Sequence, residues 1–341
     1  MKRNLVYGPA PRNTLDLYLP DSLPAPAPTA GAPPEAQPPP LGRPSAPPQP
    51  PPAPLVIFVT GGMWIIGYKA WGALLASRLR AAGCVVACLD YRNFPQGTVS
   101  AMVSDVTQGV AFCLQSCGAW GADQQRVTLV GQSAGAHLCA LALLQQAERE
   151  RAGGPPESGE DQALRWPVSG LAGFVGVSGV YTPDDDALLD HFQAKGLYKE
   201  VVWSIMEAGM SGARAAEALP RASPVTLLRA DAATSCALAA PSLPRVTLCH
   251  GTADASAPAS QSAAFAAALR AAGASSVHER YYPGKSHTDP FLEDPIEGGS
   301  DALLEDILGL AHGEAAPRIW PRFPRMLPAP LVQLARRCIP F

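Results

Sequence analysis

No stretch of the 341-residue chain approaches the roughly 18 consecutive apolar residues that a bilayer-crossing helix requires. Met1 to Pro11 likewise lacks the apolar centre of a signal peptide, so the chain reads as soluble. Charge is scarce: 16% of residues are charged and the net charge is −3, which gives no bulk attraction to nucleic acid or an anionic membrane. Eight cysteines are present without a pairing pattern, scattered through apolar segments such as "GCVVACLD" and "VTLCHG". There they read as small buried hydrophobes in a reducing compartment. Cys113 and Cys117 could share a helix face, but no histidine or cysteine pair stands near enough to complete a zinc site.

Proline, by contrast, is abundant and unevenly placed. Residues 21–54 hold 15 of the 37 prolines, and such a segment cannot pack a core; it reads as a disordered or polyproline-type insertion. Residues 1–20, with the alternating run "NTLDLYLP", read as an N-terminal strand segment of the domain that resumes at 55 and runs to 317. From Leu55 onward short apolar runs alternate with helical ones. "LVIFVT", "CVVACLD", "RVTLV", "LAGFVGVSGV", "RVTLCH" and "VHERYY" read as strands, and "WGALLASRLRAAG", "VSDVTQGVAFCLQ", "AGAHLCALALLQQA" and "SQSAAFAAALRAAG" as helices. Strands rich in valine and leucine without strict alternation fit a mostly parallel sheet covered on both faces, a three-layer α/β sandwich. Residues 147–166 read as an exposed loop, and 184–222 as inserted helices forming a lid over the crevice at the strand carboxyl ends.

Gly131-Gln132-Ser133-Ala134-Gly135 satisfies G-x-S-x-G between a strand and a helix. Glycines flank the serine because so sharp a turn would drive side chains two residues either side into the neighbouring strand and helix. A serine hydroxyl needs an imidazole to take its proton, and the imidazole needs a carboxylate to hold its tautomer. Asp254 follows the strand "RVTLCH" and His287 follows "VHERYY", giving the chain order serine, aspartate, histidine of α/β-hydrolases. Of the competing residues, His137 reads as a local packing or hydrogen-bonding group, His250 as structural, and Asp289 as support for the His287 loop. Acyl transfer also needs donors for the developing oxyanion. Gly61 and Gly62 let the backbone approach the substrate, and the amides of Gly62 and Met63 join that of Ala134. Trp64, Tyr68 and Trp71 read as walls of an apolar pocket, to which Gln132 also belongs.

"VTGGMWIIGYKAWG", "ACLDYRNFPQG", "GQSAGAHL", "DHFQAKGLY", "SIMEAG", "HGTAD" and "GKSHTDPFLEDP" together resemble the plant-type isoprenylcysteine alpha-carbonyl methylesterases of the α/β-hydrolase superfamily. The resemblance covers nearly the whole chain outside the proline-rich insertion. It implies a serine esterase, needing no cofactor, that removes the methyl ester from a farnesyl- or geranylgeranyl-cysteine, either free or at the C-terminus of a prenylated protein. Ser133, Asp254 and His287 match the family's triad, and Gly61, Gly62 and Met63 its oxyanion segment, although Met63 stands where relatives carry a smaller residue. Phe192 and Trp203 are lid residues suited to the greasy end of that substrate. The family also implies an address at the endoplasmic reticulum and Golgi membrane, facing the cytosol. Relatives carry an upstream membrane-spanning region and this chain begins about where their soluble part starts, so a cytosolic address is the alternative.

The tail from 318 to 341 contains five arginines, no acidic residue, and Trp320, Phe323, Leu331 and Leu334. It reads as a basic amphipathic segment that folds back over the domain or touches a membrane surface. Two other functions stay open: a generic carboxylesterase or an arylformamidase, because "GGMW" resembles the H-G-G-x-W loop of kynurenine formamidases, and a non-catalytic binding module. Thr60 in place of that motif's histidine argues against the formamidase, and three intact triad positions argue against the binding module.

Overall fold

The computed structural model describes residues 1–21, 51–153, 164–229 and 239–313, and in the tail 320, 322–328, 330–332 and 334. Eight strands form one sheet: β1 (Lys2–Val6), β2 (Thr14–Tyr18), β3 (Ala53–Val59), β4 (Val85–Leu89), β5 (Ala122–Gln132), β6 (Gly173–Val177), β7 (Arg245–Gly251) and β8 (Val277–Tyr282). Their order is β1-β2-β4-β3-β5-β6-β7-β8; the first two pairings are antiparallel and those from β4 to β8 parallel.

Every residue of β3 and β4 is buried, because both faces of the sheet are covered. Strand alternation divides these residues between two cores. Leu55, Ile57 and Val59 face the larger one, built with α2 (Val99–Ser116), α3 (Ala134–Ala152) and the helix Ser260–Ala271. Val56 and Phe58 face the other, with α1 (Ala73–Ala81) and the helix Ala302–His312. The edge strands carry charge instead: β1 presents Lys2 and Arg3, and β8 presents His278 and Arg280, which discourages pairing with another sheet. The expected three-layer α/β sandwich is the one observed.

From β3 the chain crosses by α1 to β4 on one side, then by α2 to β5 on the other. A crevice therefore opens where the strand order reverses, beyond the carboxyl ends of β3 and β5, where the residues after Val59 and Gln132 sit.

Several boundaries differ from expectation. The proline-rich segment gives up its last residues, since Ala53 and Pro54 already belong to strand β3, Ala53 pairing with Ala122; its bulk, 22–50, lies outside the described residues. Residues 147–152 are helix rather than loop, because α3 keeps Ala147 buried and runs on to Ala152; 154–163 lie outside the described residues. The helix Ala302–His312, absent from the strand-and-helix reading above, is capped by Asp301, whose carboxylate accepts the Leu304 N–H at 2.9 Å. In the tail, Phe323 bridges to Gly299 and lies beneath the Arg78 guanidinium at 4.2 Å, so this part folds back on the domain. Among the described residues no helix is long and apolar enough to cross a membrane.

The N-terminal strands are tied to the loop after β3 by a buried cation. Lys69 Nζ, 2% exposed, donates to Asn4 Oδ1 at 2.5 Å and Thr14 Oγ1 at 2.7 Å and lies 3.3 Å from Asp16. Lys69→Met would leave Asp16 without its cation, and breaking one side of a buried pair costs about 3–5 kcal/mol. The expected outcome is a urea midpoint lowered by that loss, read by circular dichroism.

Candidate active site

Ser133 sits between β5 and α3 with φ 53°, a left-handed backbone rare for a residue with a side chain. The flanking glycine explains how the turn closes. A Cβ on Gly135 would fall 2.3 Å from the Val59 carbonyl oxygen and 2.5 Å from that of Thr60, which is the collision expected from the motif. The turn thus rests against the end of β3, and the Ser133 N–H is fixed by the Val177 carbonyl of β6 at 2.8 Å. The residue is 7% exposed at the crevice floor.

Asp254 and His287 come together from the loops after β7 and β8. His287 Nδ1 donates to Asp254 Oδ2 at 2.8 Å. Three further donors complete the carboxylate: Ser256 N and Ala257 N on Oδ1, both at 2.9 Å, and His250 Nε2 on Oδ2 at 3.1 Å. Burial of the side chain would raise its pKa, but the bonds from His250 and His287 outweigh that and hold the carboxyl well below the usual range. His250, read in the sequence as structural, braces the acid itself, a contact the sequence reading did not assign. It is fully buried, its Nε2–H shared between Asp254 and the Ala257 carbonyl (2.9 Å), its Nδ1 2.8 Å from the Ser262 hydroxyl. The signal was the spacing in "HGTAD", which puts the histidine at the strand end four residues before the acid. Asp289 supports its loop, accepting the Ser286 N–H at 2.6 Å. On the other edge of the His287 ring, Nε2 meets the Gln132 carboxamide at 3.4 Å rather than the Ser133 hydroxyl.

The loop after β3 is held by groups from "DYRNF", a stretch that carried no site assignment in the sequence, and by Arg12 from the N-terminal strands. Tyr91 OH donates to the Thr60 carbonyl at 3.1 Å, Arg12 Nη2 and Asn93 Nδ2 reach the Gly67 carbonyl at 2.5 and 2.9 Å, and Phe94 N donates to the Trp64 carbonyl at 2.8 Å. Gly62, Met63 and Trp64 all have positive φ, so the chain curls back and the Ile65 and Ile66 N–H groups both return to the Gly62 carbonyl at 2.9 Å. The Gly61 N–H is occupied by Gln132 Oε1 at 3.0 Å, so Gly61 shapes the loop and is not a spare donor.

A family model described as BD-FAE matches residues 45–269. The probable isoprenylcysteine alpha-carbonyl methylesterase of Oryza sativa subsp. japonica is 41% identical, over 99% of this chain and 72% of the relative. The isoprenylcysteine alpha-carbonyl methylesterase of Arabidopsis thaliana is 40% identical, over 100% of this chain and 70% of its own. The chain belongs to the isoprenylcysteine alpha-carbonyl methylesterase family. Like others of this methylesterase family it is a carboxylic ester hydrolase. Its α/β-hydrolase fold is shared with the esterase Est2 of Thermogutta terrifontis, TM-score 0.58 at 20% identity, covering 93% of this chain and 94% of that one.

Against that family background, the expected pocket residues are placed unevenly. Trp64 is 1% exposed: its indole N–H donates to His137 Nδ1 at 3.1 Å, and it is a strut beneath the loop rather than a pocket wall. Tyr68 and Trp71 stand 48% and 42% exposed on the surface, while Lys69 between them is buried against the N-terminal strands. Phe192 is buried in the main core and Trp203 packs partly against it. Helices Asp186–Ala194, Lys199–Ile205, Ala215–Arg221 and Pro224–Arg229 fill the connection from β6 to β7. They are anchored by the His137–Ala222 carbonyl bond at 2.6 Å, by His191 to the Ala255 carbonyl at 3.1 Å, and by Glu207, which accepts from Thr98 Oγ1 at 2.5 Å. A cavity of about 230 Å³ lined by Gln146, Arg149 and Trp166 lies towards the far end of α3, remote from Ser133.

His137 thus joins loop, helix and insertion, donating by Nε2–H to Ala222 and accepting at Nδ1 from Trp64. Burial pushes its pKa down to about 4, whereas an unfolded histidine titrates near 6.5. Its contribution to stability is full above pH 6.5 and is lost as pH falls from there towards 4, at about 1.4 kcal/mol per pH unit for one proton. Unfolding free energies measured by urea between pH 4 and 6.5 are expected to fall with acidity by about one proton's slope more in the native chain than in His137→Gln.

Proposed function

We propose that the chain hydrolyses the carboxyl methyl ester of isoprenylated cysteine, releasing methanol and the free carboxylate. The observation that carries this reading is the identity of about 40% to the Arabidopsis and rice methylesterases along the whole chain. The site's geometry supports the chemistry. Ser133 attacks the ester carbonyl; His287, its Nδ1–H held by Asp254, takes the hydroxyl proton at Nε2 and delivers it to the departing methoxide. The amides of Gly62, Met63 and Ala134 stabilise the oxyanion, where one donor contributes on the order of 3 kcal/mol to lowering the barrier. Water, activated by the same imidazole, then releases the acyl group.

Methanol release from S-farnesylcysteine methyl ester, beside p-nitrophenyl acetate hydrolysis, tests the assignment. Turnover of the prenylated ester well above the generic one is expected, with Ser133→Ala lowering kcat by at least about 10⁴-fold. Hydrolysis of the generic ester alone would leave a carboxylesterase of another substrate class.

The address proposed for the protein is the cytosolic face of endoplasmic reticulum and Golgi membranes, reached by peripheral contact through the tail. Leu327, Leu331 and Leu334 are 41%, 50% and 57% exposed there while Val332 is buried, a pattern that leaves apolar side chains available to a lipid interface. Sedimentation with vesicles containing phosphatidylserine should fall severalfold when the three leucines are replaced by serine.

A further inference from the structure

Gln132 closes β5, immediately before Ser133, and is only 3% exposed. A buried carboxamide needs donors for its oxygen and an acceptor for its N–H groups. Its Oε1 accepts the Gly61 N–H at 3.0 Å, which fixes the sense of the group and leaves Nε2 on the other side, 3.4 Å from Nε2 of His287. Because Asp254 keeps a proton on His287 Nδ1, Nε2 of the neutral ring offers a lone pair, and the Gln132 N–H donates to it. Loop, carboxamide and nucleophile are in direct contact: a Cβ on Gly61 would lie 2.3 Å from Gln132 Oε1 and 2.7 Å from Ser133 Cβ.

We propose that Gln132 is a positioning residue, a carboxamide bridge that holds the His287 imidazole with one hand and the oxyanion loop with the other. The inference rests on reading Ser133, Asp254 and His287 as the triad. The bridge occupies the lone pair that must receive the serine proton, so it gives way when Ser133 Oγ hydrogen-bonds to the ring. Once His287 is protonated, its Nε2–H faces a second donor in Gln132, and two donors do not pair. The proton is thereby directed to the departing alkoxide, the acceptor that remains. The other ionisable groups around the ring are Asp254, with His250 behind it, on the β7 side. On its own segment stand Asp289 and Lys285, the latter 2.5 Å from Asp294. The β3 loop adds none from Gly61 to Met63.

The test is the pH profile of kcat/KM for p-nitrophenyl acetate with the full chain, Gln132→Glu and Gln132→Leu, with the melting temperature of each. Gln132→Glu keeps an oxygen for the Gly61 N–H but sets a carboxylate against Nε2, which favours the protonated ring. Its acid limb is expected to move up by about one pH unit, a tenfold loss of kcat/KM below the limb. Gln132→Leu removes both hands and is expected to lower kcat about tenfold with KM little changed. An acid limb left in place in a folded Gln132→Glu, or kcat in Gln132→Leu falling only in step with lost fold, would overturn the proposal. If Gln132→Leu does not fold, the isosteric Gln132→Glu carries the test, and the pH dependence of Ser133 labelling by a fluorophosphonate probe serves where turnover is slow. Neither the generic ester nor the probe carries a prenyl group. A shifted limb without prenyl-ester hydrolysis would retain the bridge and reject the substrate; failure of the probe to label Ser133 in the native chain would reject the triad and the bridge together.

Discussion

The site depends on one steric constraint: the turn after β5 is pressed against the last carbonyls of β3, with no room for a side chain at Gly135. That contact forces Ser133 into positive φ, projects it from the sheet, and sets the loop after Thr60 directly against it. A non-glycine residue keeps such a backbone only where its surroundings over-determine it. Here they do so through the Val177 carbonyl on one side and the packed start of α3 on the other. Ser133 and the loop after Thr60 are therefore neighbours because β3 and β5 are neighbours, and these strands are adjacent because the sheet reverses its winding between them.

Around that contact the acid and the loop after β3 are each held by several converging hydrogen bonds, although the Thr60 hydroxyl and the Asn93 carboxamide oxygen are buried without a partner among the described residues. Asp254 receives four N–H groups, two from its own turn and two from imidazoles, so its charge is balanced by fixed dipoles in place of water. The loop after β3 is secured in the same manner by Arg12, Tyr91 and Asn93. In a low-dielectric interior such bonds orient groups more firmly than they would in solvent, and leaving any one unpaired is correspondingly costly.

Much of this was legible in the sequence because it rests on local rules. Unbroken apolar runs such as "LVIFV" and "VVACL" mark strands buried on both faces, and the position of Ser133, Asp254 and His287 just beyond strand ends follows from chain order. What was not legible depends on contacts across the fold. Nothing local distinguishes Trp64, which turns inward to His137 across 73 residues of chain, from Trp71, which stays outside, or marks Lys69 as buried against partners 55 to 65 residues away in β1 and β2. Likewise His250 reaches Asp254 through the curvature of its own loop, and Gln132 meets Gly61 only because two strands distant in sequence lie side by side.

The neutral state of His137 has a consequence for where such a hydrolase can work. Burial holds the ring that props Trp64 and the inserted helices neutral well below the pH at which a free histidine protonates, with its pKa pushed down to about 4. While that ring stays neutral, the bond it accepts from Trp64 beneath the loop after β3 does not change with the acidity of the surroundings. Mild acidity would therefore reach this strut by way of the unfolded chain, whose histidine protonates first, before it protonates the ring in place.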